Sequence, residues 1–143
     1  MPLGAFIADK KIMDCLTNNP VLGHINTFGG HPVCCAAGLA AFEVLHENNL
    51  VEKVFGKENM FLSTLSGISG IKKIRSRGLM ISLQFESFEQ NKKVIDELLK
   101  EGVFTDWFLF APECLRIVPP LIITEDEIAA SSEAIKKVVS GLK

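Results

Sequence analysis

From Leu79 to Glu86 apolar and polar residues alternate without a break, with Leu79, Ile81, Leu83 and Phe85 on one side and Met80, Ser82, Gln84 and Glu86 on the other. Successive side chains of a strand point to opposite faces, so this pattern specifies a strand with one buried and one open face. A slip of one residue would turn the whole apolar set toward water, so the pattern fixes register as well. A second strand is predicted from Ile71 to Arg77, and Gly78 between the two marks a tight antiparallel turn or a bulge. Arg75 and Arg77 then cover a solvated strand face.

The remaining elements follow from their own periods. Residues 3–8, Leu-Gly-Ala-Phe-Ile-Ala, read as a short buried strand, and residues 18–31, rich in Asn, Gly, His and Thr, as a loop. Pro32 opens a helix ending near Asn48-Asn49 that is apolar on nearly every face, so other protein must cover most of it. A second helix, Leu50 to Leu65, places Val51, Val54, Phe55, Leu62 and Leu65 on one side, and Gly67 and Gly70 bound its end. Residues 89–101 form a helix with Val94, Ile95, Leu98 and Leu99 inward and Gly102 at C′, followed by a strand at Val103 to Thr105.

Leu115 and Ile117 mark another strand with Arg116 on its opposite face, and Pro119-Pro120 ends it, since proline cannot donate to the ladder. Thr124 and Glu127 form a capping box for a last helix buried through Ile128, Ile135, Val138, Val139 and Leu142. The element order lacks βαβ alternation, which predicts an α+β fold: a mainly antiparallel sheet of about four strands covered by helices.

With 143 residues, 48% of them hydrophobic, the chain can bury one ordinary core. Its 15 basic and 17 acidic residues are scattered, with no block of one sign to track a phosphate backbone, so nucleic acid is not an expected partner. No apolar run reaches the ~18 residues of a membrane span and no signal peptide opens the sequence, so the expectation is a soluble, cytoplasmic protein with no membrane partner. Cys15, Cys34, Cys35 and Cys114 show no disulfide-framework spacing and read as reduced.

Chemistry is suggested first by Gly23-His24-Ile25-Asn26-Thr27-Phe28-Gly29-Gly30-His31-Pro32, which sets a hydroxyl and two glycines at a helix mouth. Free backbone N–H groups and the positive end of the helix dipole attract anions there, glycine permits close approach, and Thr27 can donate; an ordinary capping loop has the same appearance. His31 with Cys34 or Cys35, and His24 nearby, has metal-ligand spacing but falls short of a complete site. No base is identified beside a particular thiol for cysteine catalysis. Arg116, a permanent cation in a half-buried strand, needs an anion: a structural carboxylate such as Glu113 or Glu125, or a substrate carboxylate gripped by its planar fork.

Four separated segments, Met1-Pro2-Leu3-Gly4-Ala5-Phe6, Thr27-Phe28-Gly29-Gly30-His31-Pro32, Arg77-Gly78-Leu79-Met80 and Leu115-Arg116-Ile117-Val118-Pro119-Pro120-Leu121, together resemble the class III pyridoxal-phosphate-dependent aminotransferases, in particular their ornithine and acetylornithine branch. The resemblance spans the whole chain and implies the C-terminal portion of a fold type I enzyme. Residues 1–30 would be the remnant of the large cofactor-binding domain with a phosphate-binding loop, and residues 31–143 the interdomain helix and small domain. It implies pyridoxal 5′-phosphate as cofactor and a homodimer in which Thr27 reaches the phosphate of the partner's cofactor. Thr27 and Phe28 are the cofactor-binding candidates, and Arg116 is the substrate-binding candidate for a carboxylate of the amino acid or 2-oxo acid. His31 stands where many members have asparagine.

In the family the lysine that anchors the cofactor lies a few residues before the segment matched by Met1 to Phe6, and Lys10 and Lys11 do not match it. The partner of the pyridine nitrogen, the stacking aromatic residue and the main phosphate loop also lie upstream, so these 143 residues alone are expected to be inactive. The implied reaction of the parent is amino transfer, from an ω-amine such as that of ornithine or acetylornithine, to 2-oxoglutarate. An aminomutase or decarboxylase of the same fold is the alternative within the family, and a non-catalytic association module is the alternative outside it.

Overall fold

The computed structural model describes residues 1–17, 19 and 25–142 and divides the chain into two compact units, Met1–Asn48 and Asn49–Lys143. In the first, a short helix α1 (Lys10–Met13) starts at Asp9, whose carboxylate accepts from the Lys11 N–H, and a long helix α2 (Pro32–Glu47) starts at the predicted proline. Residues 3–8 form no strand: they have no ladder partner among the described residues, and Leu3, Phe6 and Ile7 are exposed. No residue of α2 is buried, and Leu39 and Phe42 remain 59% and 63% exposed. Of the predicted loop, residues 18 and 20–24, and with them His24, lie outside the described residues.

The second unit contains α3 (Val54–Leu65), β1 (Lys73–Arg77), β2 (Met80–Gln84), α4 (Phe88–Lys100), β3 (Asp106–Phe108), β4 (Ala111–Ile117) and α5 (Glu125–Gly141). Its sheet runs β1-β2-β4-β3, antiparallel at every junction, which is the predicted α+β arrangement. The alternation of residues 79–86 holds as read. Leu79, Ile81, Leu83 and Phe85 are all buried, and Ile81 and Leu83 lie opposite Ile117 and Leu115 of β4. Arg77 pairs with Met80, so Gly78 and Leu79 make a two-residue hairpin turn, and the Gly78 φ of +61° explains the glycine.

One face of the sheet and the inner faces of α3, α4 and α5 form a single core around Phe61, Leu65, Ile81, Leu83, Phe85, Val94, Leu98, Leu115, Ile128 and Ile135. The last helix carries both halves of the predicted capping box: the Thr124 hydroxyl accepts from the Glu127 N–H, and the Glu127 carboxylate accepts from the Thr124 N–H.

In this second unit three further details differ from the sequence-based expectation. Residues 50–53 turn rather than coil into helix, and α3 buries Glu58, Phe61 and Leu65, with Val54 partly buried, at i, i+4, i+7 and i+11. Phe55 lies one position round from that stripe and is exposed, as is Val51. The strand expected at Val103 to Thr105 begins only at Asp106, because the preceding backbone is spent ending α4: the Val103 N–H donates to the Leu98 carbonyl at 2.9 Å and the Gly102 N–H to that of Leu99 at 3.2 Å. Leu99, expected inward, is exposed, whereas Asn91 is buried and its amide donates to the Pro112 carbonyl at 2.7 Å.

Candidate functional site

The turn ahead of α2 is built for a tight approach. Residues 27–30 form it, the His31 N–H donates to the Phe28 carbonyl at 3.2 Å, and Gly30 takes a left-handed φ of +73°. A Cβ on Gly29 would stand 3.1 Å from the Asn26 side chain, so the cradle is narrow. His31 occupies the N-cap without a side-chain hydrogen bond, which leaves the first-turn N–H groups of α2 uncapped by it. Thr27 and Phe28 are both exposed. Phe28, Gly29 and Gly30 line a cavity of about 550 Å³ together with Pro2 and Leu3; Thr27 is not part of its wall.

A small dianion suits this arrangement: uncapped N–H groups, a glycine pair and an accessible hydroxyl are the donors that a phosphate needs. The turn thus offers an anion the Thr27 hydroxyl and the N–H groups at the mouth of α2.

Arg116 stands near the end of β4, in a row that crosses the open face of the sheet from Arg75 through Ser82 and Arg116 to Asp106. Its guanidinium donates through Nη2 to Asp106 Oδ2 at 2.8 Å, and the two side chains are 40% and 45% exposed. The structural carboxylate is thus Asp106, neither Glu113 nor Glu125. Glu113 is three residues back along the same strand and falls on the other face. The Asp106 carboxylate also accepts from the Trp107 N–H at 2.7 Å through Oδ1, and the Thr105 hydroxyl donates to the Arg116 carbonyl at 2.5 Å. Arg116 Nε is buried and has no acceptor among the described residues.

Asp106 and Arg116 line a cavity of about 550 Å³ whose other walls include Val103, Ile117, Pro119 and Glu127. Thr124 holds the Glu127 carboxyl below the usual carboxylate range, chiefly through its backbone N–H and then its hydroxyl. The segment following β4 is braced from α3, where the Lys57 ammonium donates to the Leu121 carbonyl at 2.6 Å. The sequence offered no signal for Asp106 or Lys57, since both act through partners that only the folded register brings near.

The chain is 33% identical over 142 residues to an ornithine aminotransferase of Oceanobacillus iheyensis, an alignment that covers 98% of this chain and 34% of that protein. Among solved structures it is similar to the Toxoplasma gondii ornithine aminotransferase with partial occupancy of PLP at its active site, at 28% identity and a TM-score of 0.78, over 92% of this chain and 31% of that one. The PLP-bound amine transaminase of an uncultivated Pseudomonas species shares the fold at a TM-score of 0.80 and 23% identity, over 94% of this chain and 34% of that one. The chain thus spans about a third of the length of the relatives it matches. The description of aminotransferase class-III fits residues 1–139, nearly end to end, and the chain belongs to that family.

Proposed function

We propose that the whole protein is a pyridoxal-phosphate-dependent transaminase of fold type I that moves an amino group from an amino acid to 2-oxoglutarate, the donor being an ω-amine such as that of ornithine or acetylornithine. The observation that carries this reading is Arg116, a fixed guanidinium beside a cavity, with a buried Nε that no group of the described protein satisfies. A planar fork of donors suits a carboxylate, and both the 2-oxo acid and the amino acid product offer one.

In this reading Arg116 orients the substrate by its carboxylate, Thr27 donates to the cofactor phosphate, and Phe28 shapes the adjoining wall. When bound, pyridoxal phosphate supplies the electron sink for amino transfer. Residues 1–30 belong to the cofactor-binding domain and residues 31–143 to the interdomain helix and the small domain. The protein works as a cytoplasmic homodimer, with Thr27 serving the partner's cofactor. The open apolar surface of α2, which carries Val33, Leu39 and Phe42, supports burial against other protein. These 143 residues alone do not transaminate, because the resemblance places the anchoring lysine before residue 1.

The test is a coupled assay of the full-length protein with 2-oxoglutarate and a panel of ω-amino acids. The expected result is glutamate formed in proportion to amine consumed. Carbon dioxide release, or isomerisation of the amine without any need for 2-oxoglutarate, would overturn the transaminase assignment.

A further inference from the structure

We infer that Asp106 is a positioning residue for 2-oxo acid binding: it fixes the guanidinium of Arg116 so that the rest of the fork is presented to a carboxylate. The inference rests on the assignment of Arg116 as the carboxylate-binding residue. It goes further by naming the group that sets its geometry.

Three restraints meet at this pair. Asp106 and Arg116 lie directly opposite each other in the β3–β4 ladder, which fixes their backbones. One carboxylate oxygen of Asp106 is tied to the Trp107 N–H at 2.7 Å, which leaves the other to accept from Arg116 Nη2 at 2.8 Å. The Thr105 hydroxyl, one residue before Asp106, donates to the Arg116 carbonyl at 2.5 Å and ties the same two strands again. A carboxylate meant to swing away from its arginine would not also be anchored to its own backbone. Asp106 therefore orients Arg116 and does not compete with the substrate for it. Of the five donors on the guanidinium, Asp106 takes one on Nη2, and Nε is left buried without an acceptor among the described residues. An arginine released from Asp106 would regain its rotamer freedom and would have to be ordered again at each binding event.

The positioning role and simple charge competition predict opposite results, and two variants separate them. Asp106→Ala and Asp106→Asn remove the same charge, but only asparagine keeps an oxygen that can accept from Arg116. In the full-length holoenzyme, Asp106→Ala should raise KM for 2-oxoglutarate about threefold to tenfold, the effect of one unordered rotamer-rich side chain. Asp106→Asn should recover part of that loss. The half-reaction with an amine that carries no carboxylate at that end should keep its rate in both variants, and the melting temperature should move little, because the pair is half-exposed. Equal KM values in the two variants, or a KM at or below that of the unmodified enzyme in Asp106→Ala, would overturn the inference. So would a loss that is the same in both half-reactions. Arg116→Ala, run beside them, isolates the premise: if it leaves KM for 2-oxoglutarate unchanged, the assignment of Arg116 fails, whereas a raised KM there with unaltered Asp106 variants rejects Asp106 alone.

Discussion

The buried carboxylate of Glu58 on α3 accepts a hydrogen bond from the Gly78 N–H at 3.1 Å, so the turn of the β1–β2 hairpin is pinned to a helix twenty residues earlier. A turn N–H at a buried position has no water to fall back on. Glu58→Ala should therefore destabilise the protein by about 1–3 kcal/mol, the cost of an orphaned buried donor, whereas Glu58→Gln should cost less because its amide oxygen still accepts. Denaturant titrations of both variants check this, and equal losses would mean that the hydrogen bond contributes nothing.

Gly78 faces the same helix at closer range. Its φ of +61° strains any residue with a Cβ, and an added Cβ would stand 2.5 Å from Val54 Cγ1. Val54 is β-branched and short, so it has little freedom to swing aside. Gly78→Ala should cost roughly 1–3 kcal/mol from both sources. Adding Val54→Ala should relieve the clash and leave the strain, so the double variant should be more stable than the sum of the two single losses implies. Strict additivity would show that the clash is not felt.

The capping box of α5 predicts a pH dependence with a definite sign. Hydrogen bonds from the Thr124 N–H at 2.8 Å and the Thr124 hydroxyl at 2.9 Å favour the ionised Glu127 carboxylate and hold its pKa below the usual range. The unfolded chain lacks these bonds and takes up the proton at a higher pH. The contribution is therefore complete above the ordinary carboxylate range and is lost as pH falls through the lowered folded value. Melting temperatures of the unmodified protein and of Glu127→Gln should differ near neutrality and converge in acid. A gap that persisted in acid would show that ionisation of Glu127 is not involved.

These features differ in how far the residue order reveals them. The strand at 79–86, the C′ glycine at 102 and the Thr124–Glu127 box are local: each is a fixed spacing whose physical cause lies within one turn or one strand. The inward face of α3 is not legible in the residue order because it depends on where the helix starts, and a start at Val54 moves Phe61 and Glu58 inward and Phe55 outward. Val103 to Thr105 has the composition of a strand, yet its first N–H is spent on the end of α4. Thr27 and Arg116 stood out by residue type and position. The carboxylate that holds Arg116 did not, because ten residues and a hairpin separate them and only the register sets them opposite each other.

For the turn before α2, the proposed role of Thr27 is tested by cofactor affinity rather than by turnover. A hydroxyl donating to a phosphate dianion is a charge-assisted hydrogen bond worth roughly 1.5–3 kcal/mol. Thr27→Ala in the full-length protein should therefore raise the pyridoxal phosphate dissociation constant by roughly tenfold or more, while Thr27→Ser should stay near the unmodified value. An unchanged constant in the alanine variant would remove Thr27 from the phosphate site.

Arg116 allows the sharpest separation of a structural from a binding role, because the magnitudes differ. Its pair with Asp106 is half-exposed, and exposed ion pairs contribute only about 0–1 kcal/mol to stability. Loss of that pair alone can therefore account for a small fall in melting temperature and no more. Under the proposed role a desolvated substrate carboxylate left unpaired would cost more: Arg116→Ala should lose roughly 2–5 kcal/mol of transition-state stabilisation with 2-oxoglutarate. Arg116→Lys keeps the charge but not the fork, so catalytic efficiency with 2-oxoglutarate should fall while the melting temperature hardly moves. An amine with no carboxylate at that end should be affected far less in its own half-reaction, which makes the damage selective by substrate. A purely structural arginine would instead give a small fall in melting temperature and a kinetic loss independent of which substrate carries a carboxylate. Rates of the two half-reactions, measured beside the thermal melts of the same variants, decide between them.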